Sequence, residues 1–454
     1  MTLAAPRRLT LLSLAWPLFV EQGLRVLMQT VDVFMVSHVS DGAVAALGVA
    51  GQLVNLAIML FGFVGVGSSV VMTHHLGAGD AVGAARIART AVAVNGWVGL
   101  VVAVALAALA GPLLRLLQLP AELLPFALPF LTIVGGSLAL EAVNVAASAV
   151  LRAHGFARDA MVVAFAQNVV NAVGNLLLIF GLLGFPRLGV TGVAISGAVS
   201  RLVALGALAL LVHRRTRLRL RAADMVSPPG EVLRRILHLG LPIAGENVCW
   251  SLAMTVTTSF VARMGAGALA VQSYALQIST WVVVMGSSIA FASQILVGHQ
   301  VGTGALEEAY RELFRNLRTA LLLVMGGMVV VAALAPQLLG LFTGDPAIVA
   351  TGAVVLRLGL LLEPGRISNL VVINALRATG DARFPVLFAM GSMWGVWVFL
   401  AWLLGLKLGL GLPGVWLAMS ADEGLRAVFM IQRWRRRRWL EHAVRSRAAA
   451  LGSS

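Results

Sequence analysis

Twelve long apolar runs, separated by short polar stretches, leave this chain few possible folds. A helix rises about 1.5 Å per residue, so each run is long enough to cross the ~30 Å hydrocarbon core of a bilayer. There the backbone can be satisfied only by helices or closed barrels. The runs cover 9–37, 46–73, 88–112, 124–151, 160–184, 190–212, 236–262, 269–298, 317–340, 347–376, 385–407 and 412–433. With 59% of 454 residues hydrophobic and 12% charged, a soluble chain could not hide so much apolar surface. The expectation is an all-α membrane protein with twelve transmembrane helices. The first run is too long for a cleavable signal, carries a charged face and has no small-residue cleavage site after it. A single cysteine, Cys249, excludes an internal disulfide.

The runs form two copies of six. A displacement of 225 residues lays Pro17 on Pro242, Glu21 on Glu246, Gln52 on Gln277, His74 on His299, Gly77 on Gly302, Gly79 on Gly304 and Arg86 on Arg311. The same register lays Leu151-Arg152-Ala153 on Leu376-Arg377-Ala378, Gly155 on Gly380, Arg158 on Arg383 and Arg201 on Arg426. Chance would not hold one register over so many polar landmarks. Six spans per copy is an even number, so both copies start on the same side. This predicts parallel repeats related by a pseudo-two-fold axis along the membrane normal, enclosing a cleft suited to alternating access. The expected divisions are an N-terminal bundle (1–212), a basic cytoplasmic linker (213–235) containing Pro228-Pro229-Gly230, a C-terminal bundle (236–433) and a basic tail (434–454).

The net charge of +15 could suggest nucleic acid, but its placement argues for topology signals instead. With the N-terminus cytoplasmic, 25 arginines fall in inside segments, whereas outside loops hold only Arg115, Arg187, Arg263 and Lys407. Both ends are therefore expected inside, and the run Arg435 to Arg438 reads as a stop-transfer anchor.

Polar side chains inside the spans are the candidates for chemistry. Glu21, Gln22, Arg25, Gln29 and Asp32 form one stripe on the first helix, because about 100° of rotation per residue brings positions 21, 25 and 32 to one face. Facing lipid, each charge would cost several kcal/mol, so the stripe looks into the bundle or a wet cavity. Glu21 and Arg25, one turn apart, can neutralise each other. Asp32 has no basic residue three or four positions away. Glu141, Asn144 and Ser148 form a second stripe on span four, and Asn168, Asn171 and Asn175 a third on span five. Such groups coordinate Na⁺ through oxygen or relay a proton. The plainer reading is interhelical hydrogen bonding, at about 0.6 kcal/mol per pair.

In the second copy Asp32 falls on Thr257, Glu141 on Arg366, and the asparagines on Met393, Val396 and Leu400. Ion coupling is therefore expected in the first half. Gln29, Glu246, Asn247, Trp250, Thr257, Gln277 and Met285 are the candidates for a substrate cavity, since aromatic faces and soft sulfur suit large flat cations. Glu363 and Arg366, in LLEPGRISN, are spaced to pair beside a proline bend. Arg201 and Arg426 occupy equivalent places without an assignable role. No glycine-rich run followed by Lys-Ser or Lys-Thr offers an ATP site, so the energy is expected from an ion gradient. His74-His75 lacks the further ligands of a metal site, and no span carries a nucleophile elbow or clustered histidines, so no enzyme is expected.

Pro17 followed by Gln29 and Val31-Asp32, the GAG turn after span two, and LRA-x-G in both halves together resemble the MATE (multidrug and toxic compound extrusion) family. Its superfamily includes oligosaccharide and lipid flippases. The resemblance implies cation-coupled antiport, with Na⁺ or H⁺ influx driving export of small amphiphilic organic cations by rocking of two bundles. It implies a monomer in the inner membrane among lipid, with no nucleic acid partner, no cofactor beyond the coupling ion, and no metal beyond Na⁺ at Asp32 and Asn175. Asp32 matches the family's first-span aspartate. Asn171 and Asn175 match its fifth-span polar pair, where DinF-type branches carry aspartate in place of Asn175. The acidic residues of a NorM-type C-terminal cation site fall here on Trp250 and Arg366. That departure favours the first half, with Glu21 or Glu141 as second carboxylate. The alternative is a flippase for a lipid-linked precursor, its pyrophosphate held by Arg25, Arg201 and Arg366.

Overall fold

A computed structural model describes residues 9–218 and 230–452, which fold into helices joined by short turns, with no strand among them. Residues 219–229 of the expected linker, including Pro228-Pro229, lie outside the described residues. The first half contains α1 (Leu11–Ser37), α2 (Asp41–Gly77), α3 (Ala81–Ala108), the short α4 (Ala110–Leu116), α5 (Leu124–Gly136), α6 (Leu138–Ala153), α7 (Ala157–Phe180) and α8 (Val190–Thr216). The second contains α9 (Gly230–Ala262), α10 (Ala266–Thr303), α11 (Leu306–Ala333), the short α12 (Ala335–Gly340), α13 (Pro346–Ala378), α14 (Arg383–Ser392), α15 (Gly411–Arg435) and α16 (Leu440–Leu451). Beyond Ser392, α14 continues through π-helical turns at Met393–Val398 and Ala401–Lys407.

Among the described residues, nine helices are long and apolar enough to cross a membrane, and α5 with α6 makes a tenth span bent by 44°. The bend falls at Gly135-Gly136-Ser137, where small residues interrupt the helical ladder. Helices α9 and α15 are long enough but more polar, carrying Glu246 and Asn247 or Asp422, Glu423 and Arg426. With them the spans number twelve. The repeat register reappears in three dimensions: α2 and α10 start at 41 and 266, α3 and α11 at 81 and 306, α4 and α12 at 110 and 335. Glycines at matching turns adopt positive φ, Gly79 with Gly304 and Gly155 with Gly380, a conformation that side chains with a Cβ rarely enter.

Packing divides the helices into two units. Unit 1 holds 20–76 and 81–240; unit 2 holds 9–19, 77–80 and 241 onward. Within unit 1, residues of α9 up to Gly240 lie against α2 so closely that a Cβ on Gly67 would stand 2.6 Å from the Ile236 carbonyl. Its main core joins α2, α3, α5 and α6 around Phe61, Leu131 and Leu138. Unit 2 has a core of α9, α10, α13, α14 and α15 around Leu362, Trp397 and Trp416.

Residues past 433 are a built part of unit 2 rather than a loose tail. Trp434 and Trp439 stack with centroids 4.3 Å apart and are wholly buried. Ser446 on α16 donates to the Thr379 carbonyl at 3.3 Å. Arg437, expected as part of a membrane anchor, bonds Glu307 at 2.7 Å and covers the Tyr310 ring at 4.6 Å.

Candidate functional site

Helix α7 presents Asn171 and Asn175 one turn apart, both buried, and α1 brings Asp32 to them. Asn175 donates from Nδ2 to Asp32 Oδ1 at 2.6 Å and to Asn171 Oδ1 at 3.2 Å. Ser196 of α8 fixes this turn by donating to the Asn171 carbonyl at 2.7 Å. Gly174 lets α8 approach, since a Cβ there would stand 2.4 Å from Ser196 Oγ. The Oδ1 of Asn175 is buried without a hydrogen-bond partner. A half-buried carboxylate beside an unsatisfied amide oxygen is a donor set suited to a hard monovalent cation or to a proton. Asn168, on the same stripe, instead donates to its own helix at the Ala164 carbonyl.

Glu21 and Glu141 do not join this group. Glu21 accepts from Arg152 at 2.7 Å and so is not neutralised by its neighbour Arg25. The matching pair in unit 2 is Arg377 donating to Glu246 at 2.5 Å, with the same separation of 131 residues. Arg25 faces Glu141 at 3.6 Å, and Arg201 approaches Glu141 from the other side at 3.5 Å. Arg201 therefore has a role that spacing along the chain did not suggest. It also donates to Ser137 Oγ, and its own carbonyl accepts from Asn144 at 3.0 Å, tying α8 to the bend before α6.

The counterpart in unit 2 is a buried charge cluster. Arg426 reaches Asp422 at 2.5 Å and Glu423 at 3.0 Å, Asn369 donates to Glu423 at 2.8 Å, and Ser392 donates to Asp422. Glu363 pairs with Arg366 at 2.7 Å, as their spacing predicts. Gly365 permits this crossing, since a Cβ there would stand 2.7 Å from the Gly424 nitrogen. Sequence reasoning overlooked Asp422 and Glu423, although two adjacent acids four and three residues before an arginine inside a span are a readable sign of pairing.

Of the substrate-cavity candidates, Gln29 belongs to unit 1 and the others to unit 2. Gln29, Trp250 and Gln277 are exposed, and Met285 is half-buried with its methyl group beside Gly327. Glu246 is taken up by Arg377, Asn247 donates to the Ile243 carbonyl at 2.9 Å, and Thr257 donates to the carbonyls of Ala253 and Met254 at 3.0 Å each. The polar atoms that were expected to face a guest are thus largely spent within α9 or in an ion pair.

Segments 17–177 and 242–403 both match the MatE family model, and each begins at one of the paired prolines. The chain is 38% identical over 440 residues to the uncharacterized transporter YisQ of Bacillus subtilis, with 97% of each chain covered. It is 26% identical over 449 residues to the probable multidrug resistance protein NorM of Thermotoga maritima, covering 98% of this chain and 96% of that one. Among solved structures it resembles a MATE in the straight conformation (TM-score 0.86, 22% identity, 94% and 95% of the two chains). It also resembles a MOP superfamily transporter from Pyrococcus furiosus (TM-score 0.83, 22% identity, 94% and 95%). A duplicated all-helical fold whose two halves both fit one family model makes this chain a member of the MatE family of multi-pass membrane transporters.

Proposed function

We propose that the protein is a secondary antiporter of the inner membrane, exporting small amphiphilic organic cations in exchange for inward H⁺ or Na⁺. The observation that carries this reading is Asp32 bound by the Asn175 amide nitrogen, while the amide oxygen of Asn175 is buried and unpaired. An ion arriving there meets two oxygens in a low-dielectric surround. Its binding to one state and drug binding to the other would drive exchange. Asn171 orients Asn175, and the distribution of arginines supports a reading with both termini in the cytoplasm. The flippase alternative is weakened because Arg25, Arg201 and Arg366, its proposed phosphate ligands, each face a carboxylate.

The test is ethidium export from proteoliposomes with pH and Na⁺ gradients imposed separately. Asp32→Asn should abolish driven export while the protein still elutes as a folded species. Undiminished export by that variant would refute the coupling role.

A further inference from the structure

Unit 1 contains a polar chamber, and we propose that it is a hydrated proton site in which Glu141 is the acceptor, joined to Asp32 along the polar edge of α7. The inference rests on the coupling role given to Asp32 and adds a second resting place for the same proton. The chamber measures about 60 Å³, room for about four waters. Glu21 and Arg25 of α1, Glu141, Asn144 and Arg152 of α6, and Gln167 of α7 form its polar wall. Three oxygens of these residues, Glu21 Oε2, Glu141 Oε2 and Asn144 Oδ1, are buried without a hydrogen-bond partner. Three bare acceptors around one small void require donors, and water of that number supplies them.

The two glutamates differ. Glu21 is held through Oε1 by the 2.7 Å bond from Arg152, although its Oε2 is also bare. Glu141 stands 3.6 and 3.5 Å from Arg25 and Arg201, so its charge is balanced while its Oε2 stays unbonded. Such a carboxylate can take a proton without breaking a hydrogen bond. The charged groups around it are few. Helix α1 contributes Glu21 and Arg25, α6 itself Arg152, and α8 Arg201. Helix α3, which meets α6 at Gly99 beside Ala142, has charges only at Arg86 and Arg89 near its start. Helix α2, which meets it at Gly65 beside Val145, has them only at Asp41, His74 and His75 near its ends. Helix α5 has none, and on α7 Asp159 is held by Arg215 at 2.6 Å with Arg158 beside it in the first turn.

Arg201 stands 3.5 Å from Glu141 and donates to Ser137 Oγ. A proton passing from chamber water onto Glu141 Oε2 leaves Arg201 held by Ser137 Oγ. When Glu141 returns that proton to water, Arg201 is compensated again. Gln167, Asn171 and Asn175, at successive turns of α7, supply a polar edge from the chamber to Asp32.

Infrared difference spectra of the purified full-length protein, recorded on stepping the pH, resolve protonated carboxyl groups. Two bands are expected, one absent in Asp32→Asn and the other in Glu141→Gln. Glu141→Asp should restore the second band. A Glu141→Gln spectrum matching that of the unaltered protein overturns the proposal, whereas loss of only the Asp32 assignment overturns the coupling role and leaves the Glu141 band standing. Hydration has its own test, which does not alter Glu141. Ser148, also on the chamber wall, replaced by cysteine in a Cys249→Ala background should react with a small water-soluble thiol reagent. Absence of reaction in folded protein would sink the hydrated chamber.

Discussion

The two repeats share a skeleton and differ in where they keep charge. Both close the same clasp, Glu21 with Arg152 and Glu246 with Arg377, and both turn on glycines in matching places. Above that skeleton, unit 1 leaves acids loosely held: Asp32 is met by a neutral amide, and Glu141 by two arginines beyond hydrogen-bond distance. Unit 2 binds Asp422 and Glu423 tightly to Arg426, and Glu363 to Arg366. An acid held by a full ion pair resists protonation, while one held by an amide or a distant charge can gain and lose it. Duplication has left unit 1 with two span acids that no arginine hydrogen-bonds and unit 2 with Asp422, Glu423 and Glu363 in close ion pairs.

The largest contrast should be in transport. Asp32→Asn is expected to bring gradient-driven ethidium export to background, and Thr257→Ala at the matching position to leave it intact, because that hydroxyl serves only its own helix. Equal losses would break the asymmetry. Next comes stability. Arg426→Leu strands Asp422 and Glu423 in the core of unit 2 and should cost about 3–5 kcal/mol. Arg201→Leu still leaves Glu141 facing Arg25 and should cost less. Thermal unfolding read by a thiol dye is convenient for the first, because Cys249 is buried in unit 2 until that unit opens.

The clasps offer a finer comparison. Glu21→Gln and Glu246→Gln should destabilise by similar amounts, about 1–3 kcal/mol each, and Glu21→Gln with Arg152→Gln should cost less than the sum of its parts. A clearly unequal pair would show that the repeats have diverged in their skeleton too. The smallest effect should come from Asp159→Asn, whose partner Arg215 is about half exposed, whereas Asp381→Asn, which deprives Arg433 of a buried partner, should matter more. Salt should erase the first difference and not the second.

Much of this was legible because it repeats or is local. Apolar length marked the spans, one register exposed the duplication, and the α7 stripe predicted that Asn171 and Asn175 would sit together. Glu363 and Arg366 could be read from a spacing of three. The Glu21–Arg152 clasp could not be read that way, because local proximity pointed to Arg25 and the true partner lies 131 residues away. Yet both partners had already appeared among the residues held in register, which was the only linear trace of their contact. The pairing of Arg201 with Glu141 left no such trace. It depends on how α8 packs on the bend at Ser137, where the equivalent of Glu141 is Arg366, so even the repeat gave no hint.

The seat of Trp434 and Trp439 has a practical consequence. Both indoles are sealed by their own stacking and by α16, whose Ser446 grips the Thr379 carbonyl. A purification handle or fluorescent fusion joined at 435 would leave one indole without its lid and strip a helix from the loops that it covers. The joint belongs after Leu451, where the last helical turn has already closed.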